Sequence, residues 1–205
     1  ALGANDPNGR QLNGLGGGVS SLSKVCVVGP PSRPDADIDY TFFQLSPRNA
    51  AVDDSGNCGN MSSAMGPFAV DEGLVRASGD RAEVRIHNTN TAKIIRARFA
   101  LDDGMAAVDG DFALPGVSGE GAPVALDFLE PGGAKTGRLL PTGNARDMLK
   151  VEGVGPIAAS MVDAANPCVF VAAADMGVTA TEHPEDLERD RHFLDRMEAV
   201  RLAAS

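Results

Sequence analysis

The chain has 205 residues and a formal net charge of -10 at pH 7, with 28 acidic against 18 basic side chains. An acidic chain disfavours nucleic-acid and anionic-membrane partners, because binding to those depends on clustered Lys and Arg. The absence of Trp and the single Tyr also argue against stacking platforms for single-stranded nucleic acid. An anionic substrate would therefore need a local binding site, since the overall field of the protein repels it.

Cysteine usage and hydropathy indicate where the protein works. Cys26, Cys58 and Cys168 are widely spaced with no CxxC pair, which favours a reducing compartment and argues against a disulfide framework or a zinc site. No apolar run approaches the ~18 residues of a membrane span, and no basic segment precedes an apolar stretch at the start. We therefore predict a cytoplasmic protein with no membrane partner, no nucleic-acid partner and no bound metal.

The first predicted strand follows a glycine-rich tract. Residues 1–18 are rich in turn-forming Asn, Pro and Gly, and Val25 to Val28 then predicts a short buried strand. A glycine-rich loop that precedes a strand does not fit a nucleotide-binding loop, which follows a strand and opens a helix. Lys24 lies where the tract meets the strand, and taken alone it is best interpreted as a solvated lysine. Hydroxyls suited to a carboxylate ligand lie beside it, on Ser20, Ser21 and Ser23.

The most informative stretch runs from Asp53 to Val70. Polar, glycine-rich residues give way after Asn60 to a small, apolar run, which predicts a loop that leads into a buried helix over 61–75. A single cysteine is most often a small core residue, but Cys58 would lie near unpaired helix N–H groups. That environment favours a thiolate and can hold a carboxylate. Donors for the carboxylate would come from Asn57, Gly59 and Asn60.

Strands are predicted on both sides of this helix. Alternating or apolar runs indicate them at 38–45, 82–90, 93–99 and 124–129. His87 is predicted to be a surface residue on its strand. Within the predicted helix, Gly66-Pro67 predicts either a kink or a helix start as late as Pro67. Gly73 is predicted to form the C-terminal cap. Together these elements indicate an α+β fold in which a mixed or antiparallel sheet wraps around a central helix.

A second part of the chain follows a break predicted at Glu130 to Gly133. Strands are predicted at 157–163 and 169–173, and Cys168 between them is interpreted as a small apolar residue at the start of a strand. Pro184 and an acidic first turn predict a last helix over 184–204. Its apolar face is expected to contain Leu187, Leu194, Met197 and Arg201.

Motifs spread along nearly the whole chain carry a family resemblance. They are Gln11-Leu12-Asn13-Gly14-Leu15-Gly16-Gly17-Gly18, Ser23-Lys24-Val25, Asp39-Tyr40, Ser55-Gly56-Asn57-Cys58-Gly59-Asn60, Gly66-Pro67-Phe68-Ala69, Glu72-Gly73-Leu74-Val75, Leu140-Pro141-Thr142-Gly143-Asn144, Asp175-Met176-Gly177 and Thr181-Glu182. With these motifs the chain resembles the PrpF family, the 2-methylaconitate cis-trans isomerases and their relatives. The relatives include 4-oxalomesaconate tautomerases and methylitaconate Δ-isomerases. All are cofactor-independent, so the resemblance implies no cofactor.

The resemblance also implies a fold like that of diaminopimelate epimerase, with the active site in a cleft between two lobes. It implies a first lobe at 1–138, the beginning of a second lobe at 139–205, and further segments beyond both ends. We therefore expect an internal piece of a longer protein. Its isolated activity is expected to be low, because a lysine acts as a base only where a closed cleft desolvates it.

The reaction implied by the resemblance is a proton shift or cis-trans isomerisation in an unsaturated di- or tricarboxylate of the aconitate, 2-methylaconitate or oxalomesaconate type. The catalytic lysine of the family's Ser-Lys motif maps onto Lys24, and Cys58 is the second proton carrier or the polarising group. It stays open which of the two residues is the base and which is the acid. Whether the protein forms a homo-oligomer also stays open. Substrate binding is assigned to Ser20, Ser21, Ser23, Asn57, Gly59 and Asn60.

Two other functions stay open. A two-thiol amino-acid racemase or epimerase shares the fold and needs a second cysteine facing Cys58, for which Cys168 is the one downstream candidate. A non-catalytic accessory protein would instead use the glycine-rich loops to hold an anion without turnover.

Overall fold

In a computed structural model of the chain, the described residues are 23–46, 49–115 and 117–205. The chain divides into two units between Glu130 and Pro131. The first unit contains, in chain order, β1 (Lys24–Gly29), β2 (Ile38–Leu45), β3 (Val52–Asp53), α1 (Gly59–Asp71), β4 (Arg81–Asn88), β5 (Lys93–Asp102), β6 (Met105–Ala106), β7 (Phe112–Ala113), β8 (Glu120–Gly121) and β9 (Ala125–Phe128).

The main sheet of the first unit is mixed, and β2 is its organising strand. β1 pairs antiparallel with β2, so that Lys24 lies opposite Gln44. On the other edge of β2, β4 pairs in parallel and the short β3 pairs antiparallel. β5 follows β4 antiparallel, and β6 and β9 both pair with β5. The sheet therefore places the start of β1 and the end of β3 at the same end of β2.

Helix α1 packs on this sheet and closes the first core. Period-2 burial along β4 and β5 turns Val84, Ile86 and Ala97 inward, where they meet Met65 and Ala69 of the helix. Gly66 permits the close approach: a Cβ at this position would lie 2.9 Å from Ala97 Cβ and 2.9 Å from Phe99 Cε1. A helix with only small and apolar residues on this face is thus fitted to lie directly against β5.

Helix α1 begins earlier than the sequence pattern predicts. The prediction of a start near Pro67 is wrong, because Cys58 takes an extended backbone (φ -115, ψ 111) as the N-cap and its carbonyl accepts the Ser62 N–H at 2.9 Å. Pro67 lies inside the helix. The helix ends at Asp71, and Gly73 follows with a φ of 69°, the left-handed conformation predicted for a glycine at this end.

His87 is buried, so its assignment to the surface is wrong. Only 8% of the residue is exposed, and its Nδ1 lies 2.9 Å from Asp39 Oδ1 on the neighbouring strand. Ser32 N–H donates to the same carboxylate oxygen at 3.1 Å. Desolvation acts to raise the pKa of Asp39, but the hydrogen bonds from Ser32 and His87 outweigh it and hold the pKa below its ordinary value.

The second unit is a three-stranded antiparallel sheet with helices after it. Its strands follow the order β10, β11, β12, and its core side chains are Leu149, Val151, Ile157, Ala159, Met176 and Val200. The first strand of the three was not predicted from the sequence. The elements are β10 (Asp147–Val151), β11 (Gly155–Ala164), β12 (Asn166–Val171), a 3₁₀ helix (Ala173–Met176), α2 (Pro184–Arg189) and α3 (Arg191–Ala203).

The single terminal helix predicted from the sequence is two helices. Asp190 adopts an extended backbone between them, and its carboxylate caps α3 by accepting the Phe193 N–H at 3.1 Å. The buried face of α3 also differs from the predicted one, since Val200 is 4% exposed whereas Met197 is 43% exposed. Across residues 23–46, 49–115 and 117–205, no helix has the length and apolar character needed to cross a membrane.

Candidate active site

Lys24 is held at one end of the main sheet. It is the first residue of β1 and lies in register with Gln44 of β2. Ser23, directly before it, is fully buried, and its carbonyl accepts the Leu45 N–H at 2.8 Å and the Gln44 Nε2 at 3.0 Å. These bonds fix the backbone on which the lysine side chain stands. Ser23 thus lies beside Lys24, as predicted, whereas the predicted Ser20 and Ser21 lie outside the described residues.

Cys58 reaches the same end of the sheet through the loop after β3. Asp53 pairs with Gln44, and its carboxylate accepts the Ser55 N–H at 2.8 Å, which begins the turn of the loop. The chain then enters α1, with Cys58 half-buried at the N-cap. No acidic side chain lies in the first turn of the helix, so the positive end of its dipole is not neutralised there.

The two predicted catalytic residues meet. The Lys24 Nζ lies 3.3 Å from the Cys58 Sγ, within hydrogen-bonding distance for sulfur, and both side chains are partly buried. The Lys24 ammonium donates this hydrogen bond to the sulfur. The pair thus joins a proton donor and a proton acceptor whose roles can be exchanged, which is what a proton shift between two carbons requires.

Asn57 and the first turn of α1 lie around the pair. The Ser62 hydroxyl, fully buried, is 3.1 Å from Asn57 Oδ1 and 2.8 Å from the Cys58 carbonyl, to either of which it can donate. Gly59 and Asn60 are exposed in the first turn, and the space around the Cα of Gly59 is open to 4 Å. The first N–H groups of a helix have no partner within it, so this turn offers donors to an anion.

Cys26 lies near the pair and was missed by sequence reasoning. Cys26 follows Lys24 by two positions on β1 and therefore shares its face, and its thiol lies 3.9 Å from the Tyr40 hydroxyl. Burial raises the pKa of the Cys26 thiol, and burial likewise raises the pKa of the Tyr40 phenol above its ordinary value. The signal for Cys26 was present, since i and i+2 positions of a strand lie on one face.

Ser62 was also missed, although the pattern contained a signal for it. It is a hydroxyl residue within an apolar run, four positions after Cys58, where a helix places it one turn below. In the part of the chain that the structure describes, no group of three or more His, Cys, Asp or Glu side chains is arranged to hold a metal ion. The described side chains around the pair supply an amine, thiols, hydroxyls and an amide.

Solved structures define the class of fold. A crystal structure of methylitaconate-delta-isomerase matches 98% of this chain and 51% of its own chain, with a TM-score of 0.77 and 46% identity. A hydroxyproline epimerase from Agrobacterium vitis matches 80% of this chain and 38% of its own, with a TM-score of 0.50 and 14% identity, which supports the fold alone. The predicted α+β fold of the epimerase type is confirmed.

Sequence relatives define the family. Residues 1–205 match the family described as PrpF protein. The 3-methylitaconate isomerase of Eubacterium barkeri is 46% identical over 195 residues, which are 95% of this chain and 51% of that relative. The 4-oxalomesaconate tautomerase of Pseudomonas putida is 43% identical over 196 residues, which are 96% of this chain and 53% of that relative. The chain belongs to the PrpF family and spans about half the length of these relatives.

Proposed function

We propose that this chain carries the proton-transfer residues of a cofactor-independent isomerase acting on an unsaturated di- or tricarboxylate of the aconitate type. The observation that carries the proposal is the 3.3 Å separation of Lys24 Nζ and Cys58 Sγ. The isomerase and tautomerase named among the relatives, 46% and 43% identical, support the same reaction class.

The proposed reaction balances without an added reactant. One member of the pair, as thiolate or neutral amine, removes a proton from a carbon that is allylic and next to a carboxylate. The electron pair left by the C–H bond spreads through the double bond into the carboxylate as a dienolate. The proton returns from the protonated member of the pair, either at another carbon or at the same carbon after rotation about the weakened bond.

Charge stabilisation is assigned to the first turn of α1. The substrate carboxylate accepts hydrogen bonds from the N–H groups near Gly59 and Asn60 and from the amide of Asn57. These donors are set in the folded chain, so they need little reorganisation as charge moves onto the carboxylate oxygens. Ser20 and Ser21 are proposed to bind a second carboxylate on the lysine side, and Ser23, which is fully buried, is proposed to hold the backbone of Lys24. The protein's overall charge of -10 makes such local donors necessary.

The domain assignment and the cytoplasmic location belong to this proposal too. We infer a first lobe at 1–138 and the beginning of a second at 139–205, as in the family resemblance. A homo-oligomer is compatible with this domain assignment and with a cytoplasmic location. The aconitate, 2-methylaconitate and oxalomesaconate types are alternative substrates.

Proton NMR in deuterated water tests the proposal. The chain is incubated with cis- and trans-aconitate, and loss of the substrate C–H signal or interconversion of the isomers is followed over time. We expect slow exchange in the wild type and in Cys168→Ser, in line with the low activity expected of this piece, and no exchange in Lys24→Ala or in Cys58→Ser. Loss of exchange in Cys168→Ser would instead support the two-thiol racemase, tested with amino acids. Saturable aconitate binding without any exchange would support the non-catalytic anion-binding protein.

A further inference from the structure

The edge of β2 that faces β3 and β4 has a gap in its hydrogen-bond ladder. The parallel pairing with β4 covers Ile38, Asp39 and Tyr40, and the pairing with β3 begins only at Gln44. Between the two, the backbone N–H and C=O of Phe42 face neither strand. Such groups need a partner when they are buried, because an unsatisfied peptide group costs free energy comparable to a lost hydrogen bond.

Asn90 fills this gap with its side chain. Its Oδ1 accepts the Phe42 N–H at 2.8 Å, and its Nδ2 donates to the Phe42 carbonyl at 2.9 Å. The carboxamide therefore pairs with β2 as a peptide unit of a neighbouring strand would. Its Nδ2 also lies 2.7 Å from the carbonyl oxygen of Asp54, in the loop that leads to Cys58. One amide group thus joins the central strand to the loop.

The orientation of the Asn90 carboxamide is fixed by a hydrogen bond from Asn88. Asn88, fully buried at the end of β4, donates through Nδ2 to Asn90 Oδ1 at 3.2 Å. The Asn88 Oδ1 accepts the Thr91 N–H at 3.0 Å and the Thr91 hydroxyl at 2.7 Å. The turn after β4 is therefore tied to the same group that holds the loop. A rotation of the Asn90 amide would exchange donor for acceptor at Phe42 and break these contacts.

We propose that Asn90 is a positioning residue for Cys58, because its carboxamide clamps the Asp54 carbonyl to β2, the strand against which Lys24 is registered. The inference rests on the proposed function for its catalytic meaning, but the clamp itself is independent of any substrate. Asn90 touches neither reacting atom in this arrangement. Its effect is to hold the thiol and the ammonium at a fixed separation, and a misplacement of about 1 Å at such a pair can cost about a hundredfold in rate.

The test compares Asn90→Ala with Thr89→Ala. The control removes a hydroxyl from the same turn, one bonded to Thr41 Oγ1 at 2.6 Å and to the Tyr40 carbonyl at 3.3 Å, outside the clamp. Alkylation of Cys58 by iodoacetamide is followed from pH 5 to 10 by peptide-resolved mass spectrometry, with circular dichroism as the check of folding. We expect Asn90→Ala to slow alkylation across this pH range, by about threefold or more at pH 7, because the thiol no longer lies at a fixed distance from the Lys24 ammonium. Thr89→Ala should leave the rates unchanged.

Turnover separates the clamp from a merely structural role. With aconitate we expect Asn90→Ala to lower kcat by about tenfold to a hundredfold at nearly constant KM, since no contact with substrate is lost. A folded Asn90→Ala protein with the wild-type alkylation profile would overturn the inference. Slower alkylation in a protein that never exchanges aconitate protons would support the clamp and contradict the proposed function.

Hydrogen exchange on the wild type covers the case in which Asn90→Ala does not fold. The Phe42 amide has Asn90 as its acceptor, so protection comparable to that of amides within the β1–β2 ladder would support the clamp. Exchange of this amide as fast as that of an exposed loop residue would overturn it.

Discussion

Lys24 and Cys58 are 34 residues apart in the sequence, and their side chains meet with 3.3 Å between Nζ and Sγ. We predict that Lys24→Met slows iodoacetamide alkylation of Cys58 at pH 7 by about tenfold, because the charged hydrogen-bond donor to the sulfur is lost. Lys24→Arg keeps the charge and should retain most of the rate. Peptide-resolved mass spectrometry measures the rate at each cysteine. An unchanged rate in Lys24→Met would show that the ammonium does not act on this thiol.

The buried hydroxyl of Ser62 should matter for stability. Ser62→Ala removes a donor that lies 3.1 Å from Asn57 Oδ1 and 2.8 Å from the Cys58 carbonyl. We expect the free energy of unfolding to fall by about 1 to 3 kcal/mol, the usual cost of disturbing a buried hydrogen bond. Ser63→Ala is the matched control, since the Ser63 hydroxyl bonds only to the Asn60 carbonyl near the surface. Urea denaturation should show the control within about 0.5 kcal/mol of the wild type.

Gly66 should not tolerate a side chain. In Gly66→Ala the new Cβ would lie 2.9 Å from Ala97 Cβ and from Phe99 Cε1, so helix α1 must move away from β5. We expect a net loss of about 1 to 2 kcal/mol in the free energy of unfolding, because overpacking outweighs the gain in helix propensity. Gly59→Ala, with open space around it, should be neutral or stabilising. Equal denaturation midpoints for the two variants would contradict this packing.

Glu182 should make the second unit sensitive to acid. Its carboxylate accepts the Thr179 N–H at 2.7 Å, the Thr179 hydroxyl at 2.9 Å and the Thr181 N–H at 3.1 Å. The Thr179 backbone N–H, foremost among these donors, lowers the pKa of Glu182 from 4.5 to about 2.

A carboxyl whose folded pKa lies below its unfolded pKa stabilises the fold above the unfolded value, and the stabilisation is lost as the pH falls through the folded value. The contribution of Glu182 should therefore be complete above about pH 5 and absent near pH 2. Thermal unfolding across this range should show that Glu182→Gln removes that part of the pH dependence. Glu185→Gln, whose carboxylate contacts Arg189 at 3.5 Å on the exposed surface of α2, should leave it nearly intact.

Much of this fold could be predicted because its signals are local. The strand predicted at 38–45 has the bounds of β2, and β4, β5 and β9 overlap the strands predicted at 82–90, 93–99 and 124–129. Errors arose where a short-range bond overrode a longer pattern. Asp190 interrupts an otherwise continuous helical pattern by capping the next helix, and the Cys58 backbone starts α1 before the proline that was expected to delay it.

The types of residue at the candidate site could be predicted from the sequence, but the contacts between them could not. Lys24, Asn57 and Cys58 stand out because of the polar and glycine-rich residues around them. The contact of Tyr40 with Cys26, 14 positions away in sequence, depends on the register of β2 with β1. The contact of Asn90 with Phe42, 48 positions away, depends on how the turn after β4 meets β2. His87 was placed on the surface for the same reason, since its partner Asp39 becomes adjacent only through the parallel pairing of β2 and β4.

Tyr40 gives the first unit a spectroscopic signature of its own. It is the only tyrosine in a chain that has no tryptophan, and it is fully buried in the core formed by the main sheet and α1. Ultraviolet emission therefore comes from one ring in one unit, whereas far-ultraviolet circular dichroism sums the backbone of both. If the two signals were followed through a denaturant titration, a gap between their midpoints would show the two units melting one after the other.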